Sequence, residues 1–85
     1  MKPWSLFLTH VAEKDLAKLP ERDLQAVIPA LDRLTQNPSS VDIRKLKGCA
    51  NEWRLRVGKW RIRFMFVANT HTIQILRVLP RKTAY

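Results

Sequence analysis

The chain has 85 residues, which fits one domain over residues 1–85, and its 46% hydrophobic content excludes a fully disordered chain. Its formal net charge is +9 at pH 7, which points to a polyanionic partner. No apolar run reaches the length of a membrane span or a signal-peptide core, so we expect no membrane association. The lone cysteine, Cys49, excludes an intramolecular disulfide and is typical of a reducing, cytoplasmic setting.

The charge is concentrated in the second half of the chain. Residues 1–42 carry five basic and six acidic side chains, whereas residues 43–85 carry eleven basic side chains and one acid, Glu52. We therefore expect the anion-binding surface to be built by residues 43–85.

The first half predicts a strand followed by two helices. Trp4 to Leu8 indicates a short strand, and Thr9 can cap the helix after it. That helix has an apolar stripe formed by Val11, Ala12, Leu16 and Leu19. Pro20 suits the first turn of a second helix, whose buried face is predicted from helical spacing. Its members are Leu24, Val27, Ile28, Leu31 and Leu34. Because this spacing continues past Pro29, the helix is predicted to be continuous up to Asn37-Pro38.

The second half is organised by a hairpin. Apolar and basic residues alternate on both sides of Gly58-Lys59, which predicts two strands joined by a type II′ turn. Counting outward from the turn gives five pairs: Val57 with Trp60, Arg56 with Arg61, Leu55 with Ile62, Arg54 with Arg63, and Trp53 with Phe64. One face is then apolar, and the other carries Arg54, Arg56, Arg61 and Arg63. Since like charges opposite each other repel, four arginines on one patch favour anion binding over a merely solvated face.

A last strand is predicted over Thr72 to Val78, after a turn at Asn69-Thr70. Continuing the count gives further pairs: Phe66 with Ile73, Phe64 with Ile75, Ile62 with Arg77, and Arg61 with Val78. This strand therefore returns to the Gly58 end of the sheet and brings the C-terminal residues to the arginines. Those residues are Arg81, Lys82 and Tyr85. The same count puts three apolar residues beside the basic face: Met65, Leu76 and Val78. Two alternatives remain for them, an exposed docking strip for another chain or a position under the first strand or the tail.

The predicted fold class is α+β, in the order strand-helix-helix-strand-strand-strand. The helical hairpin covers one face of an antiparallel sheet, and the basic face stays open. The sheet core is predicted to be Trp53, Leu55, Trp60, Ile62, Phe64, Ile73 and Ile75, packed on Leu24, Val27, Ile28 and Leu31.

The chemistry expected at the basic patch is electrostatic. The patch is predicted to hold cations and one phenol, with no carboxylate or imidazole, because His71 lies at the far end of the last strand. Glu52 can pair with a neighbouring base. No metal-ligand spacing, glycine-rich phosphate loop or Ser/His/Asp arrangement occurs, so no metal and no cofactor is expected. Arginines can hold a phosphate and stabilise charge that develops on it, and Tyr85 is the remaining candidate for proton transfer.

Four segments, in this order and at this spacing, resemble the RelE/ParE family of bacterial and archaeal toxins. They are Lys18-Leu19-Pro20, Lys45-Leu46-Lys47-Gly48, Trp53 to Arg61, and Leu76-Arg77-Val78 with Arg81 and Tyr85. The resemblance implies a type II toxin–antitoxin toxin, neutralised by a cognate antitoxin from the same operon. The RelE branch cleaves mRNA in the ribosomal A site without metal and leaves a 2′,3′-cyclic phosphate.

The family's basic catalytic positions fall on Arg54, Arg56, Arg61 and Arg81, and its C-terminal tyrosine falls on Tyr85. Lys45, Lys47 and Arg63 are predicted to contact RNA. Some ribonuclease members carry lysine where this chain has Arg54 and Arg56, which leaves the identity of the general base open. The alternatives are the ParE branch, which inhibits DNA gyrase and generally lacks this cluster and tyrosine, and a non-catalytic RNA- or ribosome-binding protein. Retention of Arg61, Arg81 and Tyr85 favours the endoribonuclease.

Overall fold

The computed structural model describes residues 2–48 and 51–83. These residues form two α-helices, α1 (His10–Ala17) and α2 (Glu21–Gln36). They also form one five-stranded sheet, whose strands are β1 (Ser5–Leu8), β2 (Ile43–Lys45), β3 (Trp53–Val57), β4 (Trp60–Val67) and β5 (Thr72–Pro80). The predicted α+β class is confirmed. Within the described ranges, neither helix is long and apolar enough to cross a membrane.

The strands lie in the order β1-β5-β4-β3-β2. The last three strands of the chain are antiparallel neighbours, as predicted. Two strands extend this sheet at its edges. β1 pairs in parallel with β5, and the short β2 pairs antiparallel with β3. The sequence analysis treated Ile43 to Gly48 only as a basic segment, because three residues are too few to show an alternation.

The helix boundaries follow the predicted signals. The Thr9 hydroxyl accepts a hydrogen bond from the Ala12 amide at 3.1 Å, which confirms the predicted N-cap of α1. α2 begins after Pro20 and continues through Pro29 to Gln36, as predicted.

The core lies between the helices and one face of the sheet. Its largest fully buried side chains are Phe64, Leu34, Leu55, Ile62, Ile73, Ile75 and Val27. Two apolar residues assigned to the buried faces of the helices are instead exposed, Val11 by 47% and Ile28 by 51%. In α2, Ala30 takes the buried place, with 3% exposure. The buried stripe of α2 is therefore rotated away from Ile28 and towards Ala30.

The predicted register between β4 and β5 is correct at one end and wrong at the other. Phe66 pairs with Ile73 and Phe64 with Ile75, as predicted. The register then shifts by one residue at Leu76, so that Ile62 pairs with Val78 and not with Arg77. A bulge of this kind inserts an extra residue into one strand and sends the following side chains to the opposite face.

The bulge changes which apolar residues reach the surface. Val78, predicted to lie beside the basic face, is a core residue with 2% exposure, and Met65 and Leu76 are half-buried. Of the two alternatives for these residues, the exposed docking strip is therefore wrong. The exposed large hydrophobic side chains of the described residues lie on β1 and on the two helices: Leu6, Phe7, Val11 and Ile28.

Asp15 of α1 anchors the end of β5. β1 pairs with β5 only as far as Ile75, so the edge of β5 beyond that residue has no neighbouring strand. There the Val78 amide donates to Asp15 Oδ2 at 2.9 Å, and Arg77 Nε donates to the same oxygen at 2.9 Å. Burial raises the pKa of the Asp15 carboxyl, but these hydrogen bonds and the nearby charges of Arg77 and Lys18 outweigh it, so its pKa lies below the usual 3.8.

Truncation of Phe64 to Ala tests the core assignment. Phe64 is fully buried and packs edge-on against Phe66, with ring centroids 5.3 Å apart. We expect Phe64→Ala to lower the free energy of unfolding by about 3–5 kcal/mol in urea denaturation. Phe7→Ala is the matched control and should cost less than about 1 kcal/mol, because Phe7 is 55% exposed. Equal losses in the two variants would contradict the assignment.

The pH dependence of stability in Asp15→Asn tests whether the Asp15 carboxyl anchors the end of β5. Because the carboxyl pKa is lower in the folded chain than in the unfolded chain, its stabilisation is complete above about pH 5 and is lost as pH falls through the folded-state pKa. We expect Asp15→Asn to lower stability at pH 7 by about 1–3 kcal/mol and to flatten the loss of stability between pH 5 and 3. Glu13→Gln, an exposed change on the same helix, should leave the profile unchanged. Parallel profiles for wild type and Asp15→Asn would argue against the anchor.

Candidate functional site

The β3–β4 hairpin has the predicted register. All five predicted pairs are present, including Arg56 opposite Arg61 and Arg54 opposite Arg63. Gly58 has a φ of 57°, the left-handed value that the first position of a type II′ turn requires. The four arginines therefore share the face of the sheet that lies opposite the helices.

β2 adds an arginine that the sequence analysis did not assign to the site. Arg44 lies directly opposite Arg54, which lies opposite Arg63 on the next strand. We call these three residues the arginine row. Arg77 of β5 continues the row in register, but its guanidinium bonds to Asp15 of α1. Because β2 is only three residues long, no alternation in the sequence marked it as a strand or assigned Arg44 to the site.

The basic face is less open than predicted. Arg54 and Arg61 are only 7% and 6% exposed, whereas the Arg56 side chain is 57% exposed. Arg61 is buried because its side chain folds back on the hairpin turn, where Nη1 donates to the Gly58 carbonyl at 2.8 Å and to the Trp60 carbonyl at 3.0 Å. These bonds fix the Arg61 guanidinium against rigid backbone.

A carboxylate lies within the patch, contrary to the prediction. Asp42 Oδ2 is 2.6 Å from Arg56 Nε, and Asp42 Oδ1 is 3.8 Å from Arg54 Nη1. The Arg56 amide also donates to the Asp42 carbonyl at 3.0 Å, which continues the β2–β3 ladder. The sequence analysis placed Asp42 outside the basic half because β2 was not recognised as a strand.

Two further predictions about neighbouring charges and rings are confirmed. Glu52 pairs with Arg63, an arginine of the same face. His71 lies at the end of β5 away from the patch, where its ring stacks on Trp4 with centroids 4.0 Å apart and Nε2 lies 3.1 Å from the Lys2 carbonyl oxygen.

The predicted convergence at the Gly58 end is confirmed for Arg81. Leu79 pairs with Arg61, and two residues later the Arg81 amide donates to the Lys59 carbonyl at 2.8 Å. The Arg81 side chain is exposed. Tyr85 and Cys49 lie outside the described residues.

The two predicted RNA-binding lysines do not join the arginine row. Lys45 lies opposite Trp53, a residue of the helix-covered face, so the strand alternation puts Lys45 on the other side of β2 from Arg44. Lys47 is exposed in the turn after β2. Of the three predicted RNA contacts, the register brings only Arg63 into the patch.

The arrangement supplies fixed positive charge around the Gly58 end of the sheet. Guanidinium groups can bind phosphate oxygens bidentately and stabilise negative charge that develops on them. Within residues 2–48 and 51–83, no group of three or more His, Cys, Asp or Glu side chains could hold a metal ion.

Comparison with known proteins identifies relatives over nearly the whole chain. The family model described as ParE toxin of type II toxin-antitoxin system, parDE, matches residues 6–85. A protein described as putative toxin RelE1 from Methanocaldococcus jannaschii is 32% identical over 75 residues, which are 85% of this chain and 83% of that protein.

Solved structures show the same fold. The toxin–antitoxin complex RelBE2 of Mycobacterium tuberculosis contains a chain with a TM-score of 0.81 and 33% identity, covering 93% of this chain and 99% of that one. The archaeal RelE–RelB complex of Pyrococcus horikoshii gives a TM-score of 0.79 at 25% identity, covering 99% of this chain and 100% of that one.

Asp42→Asn tests whether the carboxylate competes with external anions for Arg54 and Arg56. Surface ion pairs are worth about 0.2–1 kcal/mol, so removal of the carboxylate should strengthen binding of a polyanion by about 1.5- to 5-fold. A short fluorescent single-stranded RNA, followed by anisotropy, is the probe. Asp32→Asn makes the same charge change on an exposed position of α2. An equal gain in both variants would show only a net-charge effect.

Proposed function

Because the chain belongs to the RelE/ParE family of type II toxins, we propose that it is an endoribonuclease that cleaves mRNA on the ribosome and is held inactive by a cognate antitoxin. The observation that carries the proposal is the cluster of arginines at the Gly58 end of the sheet. Arg56 lies opposite Arg61, and the backbone of Arg81 is bonded to the hairpin turn beside them.

The proposed reaction is transesterification at an RNA phosphodiester. The ribose 2′-oxygen attacks phosphorus and forms a new P–O bond, the bond to the 5′-oxygen breaks, and the products are a 2′,3′-cyclic phosphate and a 5′-hydroxyl end. The 2′-hydroxyl loses a proton and the leaving oxygen gains one. Negative charge accumulates on the non-bridging oxygens, and fixed guanidinium groups stabilise it.

The arginines divide into two groups by the way they are held. The turn carbonyls hold the Arg61 guanidinium in place before a substrate arrives, which is the preorganisation that electrostatic catalysis requires. Among the described residues, the exposed Arg81 is held by a backbone hydrogen bond and by no side-chain bond, so its side chain can adjust to the phosphate. We assign Arg61 and Arg81 to transition-state stabilisation and Arg54 and Arg56 to the grip on the phosphate.

Proton transfer is assigned to Tyr85. Arginine does not lose its proton in proteins, so the guanidinium groups cannot serve as the general base. A phenol can move a proton or orient the 2′-hydroxyl. Of the predicted RNA contacts, Arg63 and the exposed Lys47 are proposed to bind RNA outside the reacting phosphate. Lys45 is left out because the register places it on the helix-covered face of the sheet.

The proposed antitoxin is supported by two relatives whose solved structures are complexes with RelB antitoxins. The surface that fits such a partner lies on the helix side of the sheet, where the exposed side chains of Leu6 on β1 and Ile28 on α2 face one groove. Leu6 and Ile28 line this groove of about 250 Å³ between β1 and α2. An amphipathic segment can bury these side chains.

The alternative is inhibition of DNA gyrase, which the match to the ParE toxin model favours. The two functions are separated by two assays on the same preparation: mapping of mRNA ends on purified translating ribosomes, and supercoiling by purified gyrase. Cleavage without gyrase inhibition supports the proposal. Gyrase inhibition without cleavage supports the alternative.

Arg81→Ala tests the catalytic assignment with little risk to the fold, because the side chain is exposed. Loss of one preorganised charge contact with the transition state typically slows the chemical step by about 10²–10³-fold. We expect that loss in single-turnover cleavage on ribosomes, with a much smaller change in ribosome affinity, which many cations share. Lys82→Ala, the exposed neighbour, is the matched control and should cleave at nearly the wild-type rate. Equal rates for Arg81→Ala and wild type would rule the assignment out.

A further inference from the structure

We infer that the RNA-binding surface extends from the reacting phosphate across β3 to the edge strand β2, and that Arg44 is a phosphate-binding residue at its end. The inference rests on the proposed function only in taking RNA as the polyanion. It assigns to the surface a residue that neither the sequence motifs nor the family resemblance includes.

The register places Arg44 on this surface. Arg44, Arg54 and Arg63 occupy the same position on three adjacent strands, so their side chains leave the same face in one line perpendicular to the strands. Adjacent strands lie about 4.8 Å apart, so the row extends for roughly 10 Å. Long flexible side chains spaced in this way can contact successive phosphate groups of one strand of RNA.

The charges of the row are unequally compensated. Glu52 pairs with Arg63, and Asp42 approaches Arg54 and bonds to Arg56. Within the part of the chain that the structure describes, Arg44 makes no ion pair and no side-chain hydrogen bond, and it is exposed. The N–H donors of the Arg44 guanidinium therefore remain available to a ligand, whereas Arg54 and Arg63 are already paired with carboxylates.

Arg44 is unfavourable for the fold itself. It lies directly opposite the buried Arg54, and like charges at such a position destabilise a sheet. The Nε–H group of Arg54 is also buried without an acceptor among the described residues, so one donor of this arginine is unsatisfied. A residue that served only stability would be neutral or acidic at position 44. A bound phosphate turns the repulsion into attraction for both arginines.

The experiment compares Arg44→Gln with Arg22→Gln, which removes the same charge from an exposed position of α2 in the helical layer. The probe is a fluorescent single-stranded RNA of about ten nucleotides without ribosomes. Anisotropy gives its affinity over a range of salt concentrations, and thermal melting gives stability. We expect Arg44→Gln to weaken binding about three- to tenfold and to lower the salt slope by about 0.7. We also expect it to raise Tm by about 1–4 °C, because the repulsion with Arg54 is gone. Arg22→Gln should change affinity less than twofold.

Opposite changes in stability and affinity support the inference, since a structural role would lower both. Equal binding by the two variants overturns it, and so does a loss of Tm together with a loss of binding. The outcome is separate from that of the proposed function. A wild-type chain that binds this RNA but does not cleave mRNA on ribosomes contradicts the nuclease and leaves the extended surface intact. A wild-type chain that does not bind the RNA overturns the extended surface even if it cleaves on the ribosome.

Discussion

The two-residue turn at Gly58-Lys59 is the constraint on which the rest of the structure depends. It sets which residues of β3 and β4 oppose each other, and strand side chains alternate between faces, so a slip of one residue would send every arginine of the hairpin into the core. The left-handed backbone of Gly58 makes the turn, and the Arg61 guanidinium bonds to its carbonyls from the sheet face. A residue of the basic patch thus stabilises the turn that defines the patch.

Carboxylates from three parts of the chain limit the repulsion on the basic side of the sheet. Asp42 precedes β2, Glu52 precedes β3, and Asp15 projects from α1 to the edge of β5. Each of these carboxylates forms an ion pair with an arginine of β3, β4 or β5. The positive charge of these strands is therefore partly neutralised. Among the described residues, the exposed Arg44 at one edge and the exposed Arg81 at the Gly58 end make no ion pair, so they mark the ends of the surface that is available to an anion.

Local patterns in the sequence were sufficient for the elements and for the central hairpin. The alternation around Gly58 and the caps at Thr9 and Pro20 act over a few residues, and they predicted the register of β3 with β4 and both helix starts. The features that were missed depend on residues distant in the chain. The bulge at Leu76 appears only when β5 is fitted to both β4 and the carboxylate of Asp15, and it moved Val78 from the surface to the core.

The candidate site, like the fold, could be predicted only where it depends on local sequence patterns. Its arginines were grouped correctly because they belong to one hairpin, whereas Asp42 and Arg44 were left out because β2 is three residues long and shows no pattern of its own. Lys45 was included on composition alone, and the register places it on the opposite face. Charge identifies a surface only after the strand alternation is known.

The positions of the apolar and basic surfaces constrain how an antitoxin could neutralise this chain. The exposed apolar residues of β1 lie at one edge of the sheet, and Arg44 lies on β2 at the other, with three strands between them. Four strand spacings amount to roughly 19 Å. A compact partner seated on β1 and the helices would bury apolar area but leave the arginine row uncovered. Neutralisation through both surfaces therefore requires an extended segment, which can dock its apolar residues at β1 and carry acidic residues across the sheet to the row.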